Sequence, residues 1–312
     1  MTPLSAAPSN GLPAPRLALE LLAVSTLWGS SFLFVKLTEG ALPPAVLAAC
    51  RGVIGAATLA VVLRAWGTSL TPSPGEWRHW FVLGLTNGWL PNILLAFAMT
   101  RITGALGSMI QAAAPLLVAL GAHLLFADER LSARRFLGVA VGLLGMGVLI
   151  GPSAFVAGAD AAGALAMAGA ALSYAAGNLY VRAIPRVEPF RLAFGQQLFS
   201  GGVALLLALG LHGTGAFAEA PSHLPALLAL GVLATAAPMA LFMRLIRRAG
   251  PTRAAMVGYL QPVVATLLGF AVLGEMVGAR EVVGGAIVLA GVWLTTAART
   301  SPPAGTSPQA RP

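Results

Sequence analysis

Ten apolar stretches follow one another along this chain with almost no room between them for a hydrated surface. They lie near 17–38, 44–65, 78–99, 104–126, 134–152, 162–182, 190–211, 224–244, 252–273 and 281–298. Each is about 18 to 23 residues long, the length that crosses a hydrocarbon core as an α-helix. Lipid offers no hydrogen bonds to an open backbone, so such stretches must satisfy their own N–H and C=O groups as helices. The links are short, among them ALPP at 41–44, TPSPGE at 71–76 and ADERLS at 127–132; the longest spans roughly 212–223. None can hold an independent domain. Charged residues make up 9% of the chain and apolar ones 57%. Soluble domains carry about 25% charge, and one with so little would aggregate. The expected fold class is an all-α integral membrane protein with ten transmembrane helices.

The sequence also repeats itself. Pro91, Met109 and Pro115 are matched 147 residues later by Pro238, Met256 and Pro262. After a slip of one residue, Glu129, Gly138 and Gly145 are matched 146 residues later by Glu275, Gly284 and Gly291. The boundaries implied are a cytoplasmic tail at 1–16, a first five-helix repeat at 17–152, a second at 162–298 and a tail at 299–312. Both tails are rich in Pro, Ala and Ser and read as disordered. Five spans is an odd number, so the second repeat is expected to run inverted relative to the first. Inverted repeats of this kind place a binding site near mid-membrane at their pseudo-two-fold axis.

Arginine placement gives the orientation. With the N-terminus inside, 15 of the 19 cationic residues fall on cytoplasmic links and tails, and three, Lys36, Arg101 and Arg280, fall outside. Arg51 alone lies within a span. That asymmetry follows the positive-inside pattern and predicts that both termini face the cytoplasm. It also accounts for the net charge of +9 without nucleic acid as a partner. The stretch 17–38 is too long for the apolar core of a signal peptide and is read as a retained span. Cys50 is the sole cysteine, which excludes an internal disulfide.

At the level of motifs the chain resembles the drug/metabolite transporter superfamily, specifically its ten-span EamA-type members. The clearest match is 239–275, MALFMRLIRRAGPTRAAMVGYLQPVVATLLGFAVLGE, with a weaker copy from 104 to 132 and the glycine-rich GVAVGLLGMGVLIG after it. LWGSSFLFVK at 27–36 resembles the family's first span and CRGVIGA at 50–56 its second. The resemblance implies transport of small metabolites, often outward, across a bacterial inner membrane.

The residues themselves point away from catalysis. HExxH, GxSxG and Walker motifs are absent, and no cofactor or metal is expected. The ten acids all fall at or near span ends, so proton coupling through a central carboxylate, and a cationic drug as cargo, are disfavoured. Polar side chains inside a span normally face the bundle interior. The candidates for a substrate cavity are Trp28, Ser31 and Phe32 in span 1, Asn87 and Asn92 in span 3, Gln111 in span 4, Tyr174 and Asn178 in span 6, and Tyr259 in span 9. Such groups also bond between helices, but five spans supply this set. Pro91, Pro115, Pro238 and Pro262 each remove a helix hydrogen bond and are expected to kink their helices as gating hinges.

Arg51 is read as a snorkelling or structural cation in preference to a substrate contact, and His123 as hydrogen-bonded to a neighbouring helix in preference to carrying protons. The glycines of spans 5 and 10 read as close helix packing, within one chain or between the two chains of a homodimer. The expected function is a secondary transporter, an exporter, of a small neutral or zwitterionic metabolite such as an amino acid. The alternatives are a non-transporting lipid-binding or assembly subunit, or an antiporter of phosphorylated metabolites.

Overall fold

The computed structural model describes residues 12–31, 34, 37, 38, 41–99, 101, 102, 110–151, 160–184, 187–273 and 277–297. Among these residues all regular structure is helical. We label α1 Ala14–Gly29 and α2 Pro44–Ala65; α3 runs Glu76–Gly84, passes through a π-helical turn at Leu85–Trp89 and continues as Leu90–Met99. Then come α4 Ala114–Leu125, α5 Ala133–Ile150, α6 Ala161–Ala183 and α7 Pro189–His212. Helix α8 repeats the form of α3, as Leu224–Gly231, a π-turn at Val232–Ala236, and Ala237–Ala249. A short turn of helix, Pro251–Ala254, leads into α9, Val257–Leu273, and α10 is Ala279–Ala297.

Local chemistry sets the ends. Proline opens α2 and α7, where its missing N–H costs nothing. The side chains of Ser132, Asp160 and Glu188 accept backbone N–H groups at the starts of α5, α6 and α7. Gly250 closes α8 at φ +85°, a left-handed conformation, and a β-carbon there would also strike the Glu129 carboxylate. Only glycine meets both demands.

Five helical stretches are long and apolar enough to cross a membrane: Pro44–Ala65, Ala161–Ala183, Pro189–His212, Thr214–Ala249 and Pro251–Val272. Ala114–Leu125 and Val282–Thr296 are shorter apolar helices. The outer surface is correspondingly greasy: Leu124, Leu165 and Leu206 stand 81, 73 and 71% exposed. An apolar girdle of this kind is solvated by acyl chains.

The helices pair mostly across the two halves. Helix α2 packs on α7, and α5 on α10. The pairs α3–α6, α4–α6 and α3–α7 have counterparts in α8–α1, α9–α1 and α8–α2. Exchanging the halves therefore maps each of these contacts onto another. Glycine makes the closest approaches possible. A β-carbon on Gly52 would come within 2.6 Å of the Gly201 Cα, and one on Gly145 within 2.6 Å of the Val288 backbone nitrogen. Gly138, Gly284 and Gly291 likewise lie against the opposite helix of the α5–α10 pair, and a β-carbon on Gly142 would strike the Tyr259 ring of α9. The glycine stripes thus serve packing inside one chain.

Ion pairs gather at the end where α1, α3, α5, α7 and α9 begin. Arg191 holds Glu76 at 2.6 Å, Arg182 pairs with Asp128, Arg135 lies 3.6 Å from Glu129, and Glu20 is shared by Arg16, Arg244 and Arg248. The buried apolar core sits toward this same end as one continuous body, from Leu17 and Leu21 through Leu63, Trp80, Leu192 and Ile246. Toward the opposite end it divides. Leu42, Val46, Ala49, Ala208 and Leu227 join α2, α7 and α8, while Ala98, Ile102, Ala166 and Met167 join α3 and α6. Among the described residues the buried core is knitted into one body at the charged end and is split into separate groups at the other.

Candidate functional site

The split lies where the polar side chains meet. On the α3–α6 side, Tyr174 donates its hydroxyl to the Asn92 Oδ1 at 3.2 Å, and one turn deeper Asn87 Nδ2 approaches Asn178 Oδ1 at 3.4 Å. On the α2–α8 side, Arg51 Nε donates to Thr235 Oγ1 at 3.2 Å. Arg51 and Tyr174, from opposite sides of the split, are close enough to interact electrostatically.

The π-turns explain why these groups sit where they do. Pro91 cannot return a hydrogen bond to the carbonyl four residues earlier, that of Asn87. That carbonyl instead lies 3.5 Å from Gln196 Nε2 of α7, and the preceding carbonyl, Thr86, accepts the Ser173 hydroxyl of α6 at 2.8 Å. Gly88 takes the non-helical angles that the detour needs, φ −122° and ψ −105°, and lies against Ser200. The second π-turn stands 147 residues on and also just precedes its proline. There Thr235 hydrogen-bonds back five residues to the Leu230 carbonyl at 2.7 Å and sits over Gly55. Each turn adds a residue to the helix and shifts the register of the residues on either side of it.

Not every expected residue joins this cluster. Trp28 ends α1 with its ring 4.9 Å from that of Phe242, and Ser31 bonds back to the Trp28 carbonyl at 2.6 Å. Gln111 turns its Oε1 into the protein, where among the described residues it has no donor; Asn87 Oδ1 and Gln196 Oε1 share that condition. Phe32 lies outside the described residues. Tyr259 stands apart from the rest. It is fully buried, its hydroxyl bonds the Val139 carbonyl at 3.3 Å, and its ring fills the space that Gly142 leaves open. It is a packing residue in the knitted end. The face it shares with Gly258 and Pro262 could be read from spacing, but which neighbour that face meets could not.

The prolines also differ from one another. Pro262 lies inside a helix, whereas Pro115 falls in the first turn of α4, after a turn at Ala112–Ala113. There its missing N–H costs nothing, and the break at Ala112–Ala113 separates α4 from the helical residues Ile110 and Gln111. Pro91 and Pro238 do sit at distortions, in the form of the π-turns. His123 Nδ1 accepts the Leu131 N–H at 3.1 Å, tying α4 to the link that follows it, not to a neighbouring helix. Sequence reasoning did not single out Thr235, Gln196 or Ser173. A glutamine pair in an otherwise apolar span, AFGQQLFS, was the available signal for Gln196.

At the knitted end, burial pushes the Glu129 carboxyl above the ordinary glutamate range, and the nearby Arg135 guanidinium only partly opposes it. Among the described residues no cluster of metal-ligating side chains occurs.

Comparison with known proteins agrees with this geometry. The EamA-like transporter family model matches twice, at residues 17–151 and 161–297. A probable amino-acid metabolite efflux pump of Salmonella typhimurium is 25% identical over 282 residues, covering 88% of this chain and 92% of that protein. Protein PecM of Dickeya dadantii is 29% identical over 269 residues, 83% and 84% of the two chains. The uncharacterized inner membrane transporter YedA of Escherichia coli K12 is 25% identical over 283 residues, 88% and 89%. A solved crystal structure, 24% identical, superposes with a TM-score of 0.78 over 91% of this chain and 97% of its own, which establishes the shared fold. With two copies of the family's module covering nearly all of its helical length, the chain belongs to the EamA-like transporter family of the drug/metabolite transporter superfamily and is a membrane transporter, not an enzyme.

Proposed function

We propose that this chain is a ten-span secondary transporter, built from two inverted five-helix repeats, that exports a small neutral or zwitterionic metabolite such as an amino acid. The observation that carries the reading is the pair of polar contacts inside the apolar bundle, Arg51 with Thr235 and Tyr174 with Asn92, in the half where the described core divides. Contacts that exchange between halves support a pseudo-two-fold axis through this region, as inverted repeats require. The matched π-turns give each half one deformable helix, α3 or α8, beside the cleft. In this reading the charged end is cytoplasmic, both termini lie there, and the protein works by alternating access in a bacterial inner membrane. The name of the Salmonella relative supports amino-acid cargo and the outward direction. Amide side chains and one cation suit a zwitterion better than an organic cation.

Counterflow into proteoliposomes, with a panel of radiolabelled L-amino acids, tests the proposal. Uptake of at least one is expected, reduced in Asn178→Ala at unchanged folded yield. Absence of counterflow for every member of the panel would remove the amino-acid reading.

A further inference from the structure

Arg51 stands about 10 Å below the outer end of α2, at 1.5 Å per residue from Pro44. A guanidinium at that depth is costly in lipid and persists where it faces water or an anion. Its Nε is occupied by Thr235 Oγ1 at 3.2 Å. Among the described residues no carboxylate pairs with it, and its two Nη atoms have no partner. Those Nη atoms are also not sealed in the protein interior, unlike the Nε atoms of Arg135, Arg182 and Arg253 at the knitted end. The arginine is thus pinned through Nε, which leaves its outer edge, a pair of N–H donors, without a partner among the described residues and the group within electrostatic reach of Tyr174. That edge has the geometry of bidentate carboxylate recognition.

The anchor is itself built by the π-turn. Thr235 can accept from Arg51 because its own proton is spent on the Leu230 carbonyl, a bond that spans five residues and exists only in the widened turn. Gly55, facing the Thr235 methyl, and Gly231, facing Ile54, let α2 and α8 approach closely enough for the reach.

We propose that Arg51 is the carboxylate-binding residue of the transport site, held in register by Thr235, and that the substrate class is a small molecule bearing a free carboxylate. This rests on the transporter reading above. Among the described residues no second cation acts on that guanidinium, which suits a carboxylate monoanion better than a phosphate dianion. Because the anchor lies on a deformable turn of α8, rearrangement of that turn would loosen Arg51 and release the carboxylate.

The test is thermal stabilisation of the detergent-purified protein by L-amino acids, by the matched L-amino acid amides, and by simple carboxylates such as 3-phenylpropionate. In the wild type, acids should stabilise and amides should not. Arg51→Gln should weaken binding of the protecting acid about tenfold or more, with Arg51→Lys intermediate and Thr235→Val closer to wild type. Should Arg51→Gln fail to fold, Thr235→Val and Arg51→Lys still report, since each keeps the cation or its anchor. Equal protection of wild type and Arg51 variants by an amino acid would overturn the assignment and leave the transporter reading intact. Protection by carboxylates without an amine, lost in Arg51→Gln, would uphold Arg51 and overturn zwitterionic cargo. Protection by amides as strong as by acids, or by none of the three sets, would overturn the carboxylate proposal.

Discussion

Glu76 shows how this protein keeps a charge at the rim of an apolar bundle. Burial pushes its carboxyl upward, but hydrogen bonds from Arg191 and from the Ser73 N–H outweigh it and hold the group below the ordinary glutamate range. Arg191 also caps the carbonyls of Ser69 and Thr71, so one guanidinium fastens α7 to the link between α2 and α3. A depressed carboxyl stabilises the fold at neutral pH, and that contribution is lost as pH falls through the ordinary glutamate range toward the lowered value. Arg191→Gln should therefore cost about 3 kcal/mol at pH 7, because it strands a mostly buried carboxylate. Melting curves at pH 7 and pH 4 should show the gap from wild type narrowing in acid. Tyr259 makes the opposite point about apparent function. Tyr259→Phe removes one hydrogen bond, about 1 kcal/mol, and should leave transport per folded molecule unchanged. Tyr259→Ala empties a packed site and should cost about 3–5 kcal/mol. A transport defect in Tyr259→Phe at normal folded yield would return this residue to the substrate site.

At the scale of elements, the helices were legible and their distortions were not. The stretch 44–65 coincides with α2, and 78–99 falls within α3. Apolarity and length determine both, because lipid leaves the backbone no alternative. A π-turn adds one residue without altering composition, so only Pro91 and Pro238, repeated at the same spacing, hinted at it. The contact between Arg51 and Thr235 was equally hidden, since it joins residues 184 apart through a turn that the sequence does not announce. Restoring the missing donor tests what the π-turns are for. In Pro91→Ala or Pro238→Ala the new N–H can rejoin the helix ladder and draw the turn toward α-geometry. Melting temperature should hold or rise while turnover falls about tenfold, equivalent to 1.4 kcal/mol of barrier. Unchanged turnover in both variants would make the π-turns purely structural.

For the whole molecule, the placement of charge constrains how transport is energised. Of the described carboxylates within ion-pair reach of a cation, Glu76, Asp128, Glu129 and Asp160 lie at helix ends or in links, and Glu20 lies inside α1, in its cytoplasmic half, among Arg16, Arg244 and Arg248. Topology comes first in testing this arrangement. Reporter fusions at 70, 130 and 250 should report the cytoplasm, and fusions at 155, 215 and 278 the outer side; one well-expressed fusion on the wrong side breaks the ten-span reading. Coupling follows from the same geometry. A proton-driven carrier needs a group that titrates while exposed in turn to each side, usually a buried carboxylate near mid-membrane. His123 is engaged by the Leu131 N–H at one end of α4, away from the Arg51–Tyr174 region. Glu129 holds its proton more tightly than usual because of burial, yet it lies in the link after α4 at the knitted end, beside Arg135 and Gly250. Flux should therefore follow the substrate gradient. In liposomes with equal substrate on both faces, an imposed pH gradient should drive no accumulation. Accumulation driven by pH alone would overturn the uncoupled reading, and its fate in Glu129→Gln and His123→Gln would identify the carrier. Loss in the first variant would mean that the knitted end opens during the cycle and exposes Glu129 to the cytoplasm.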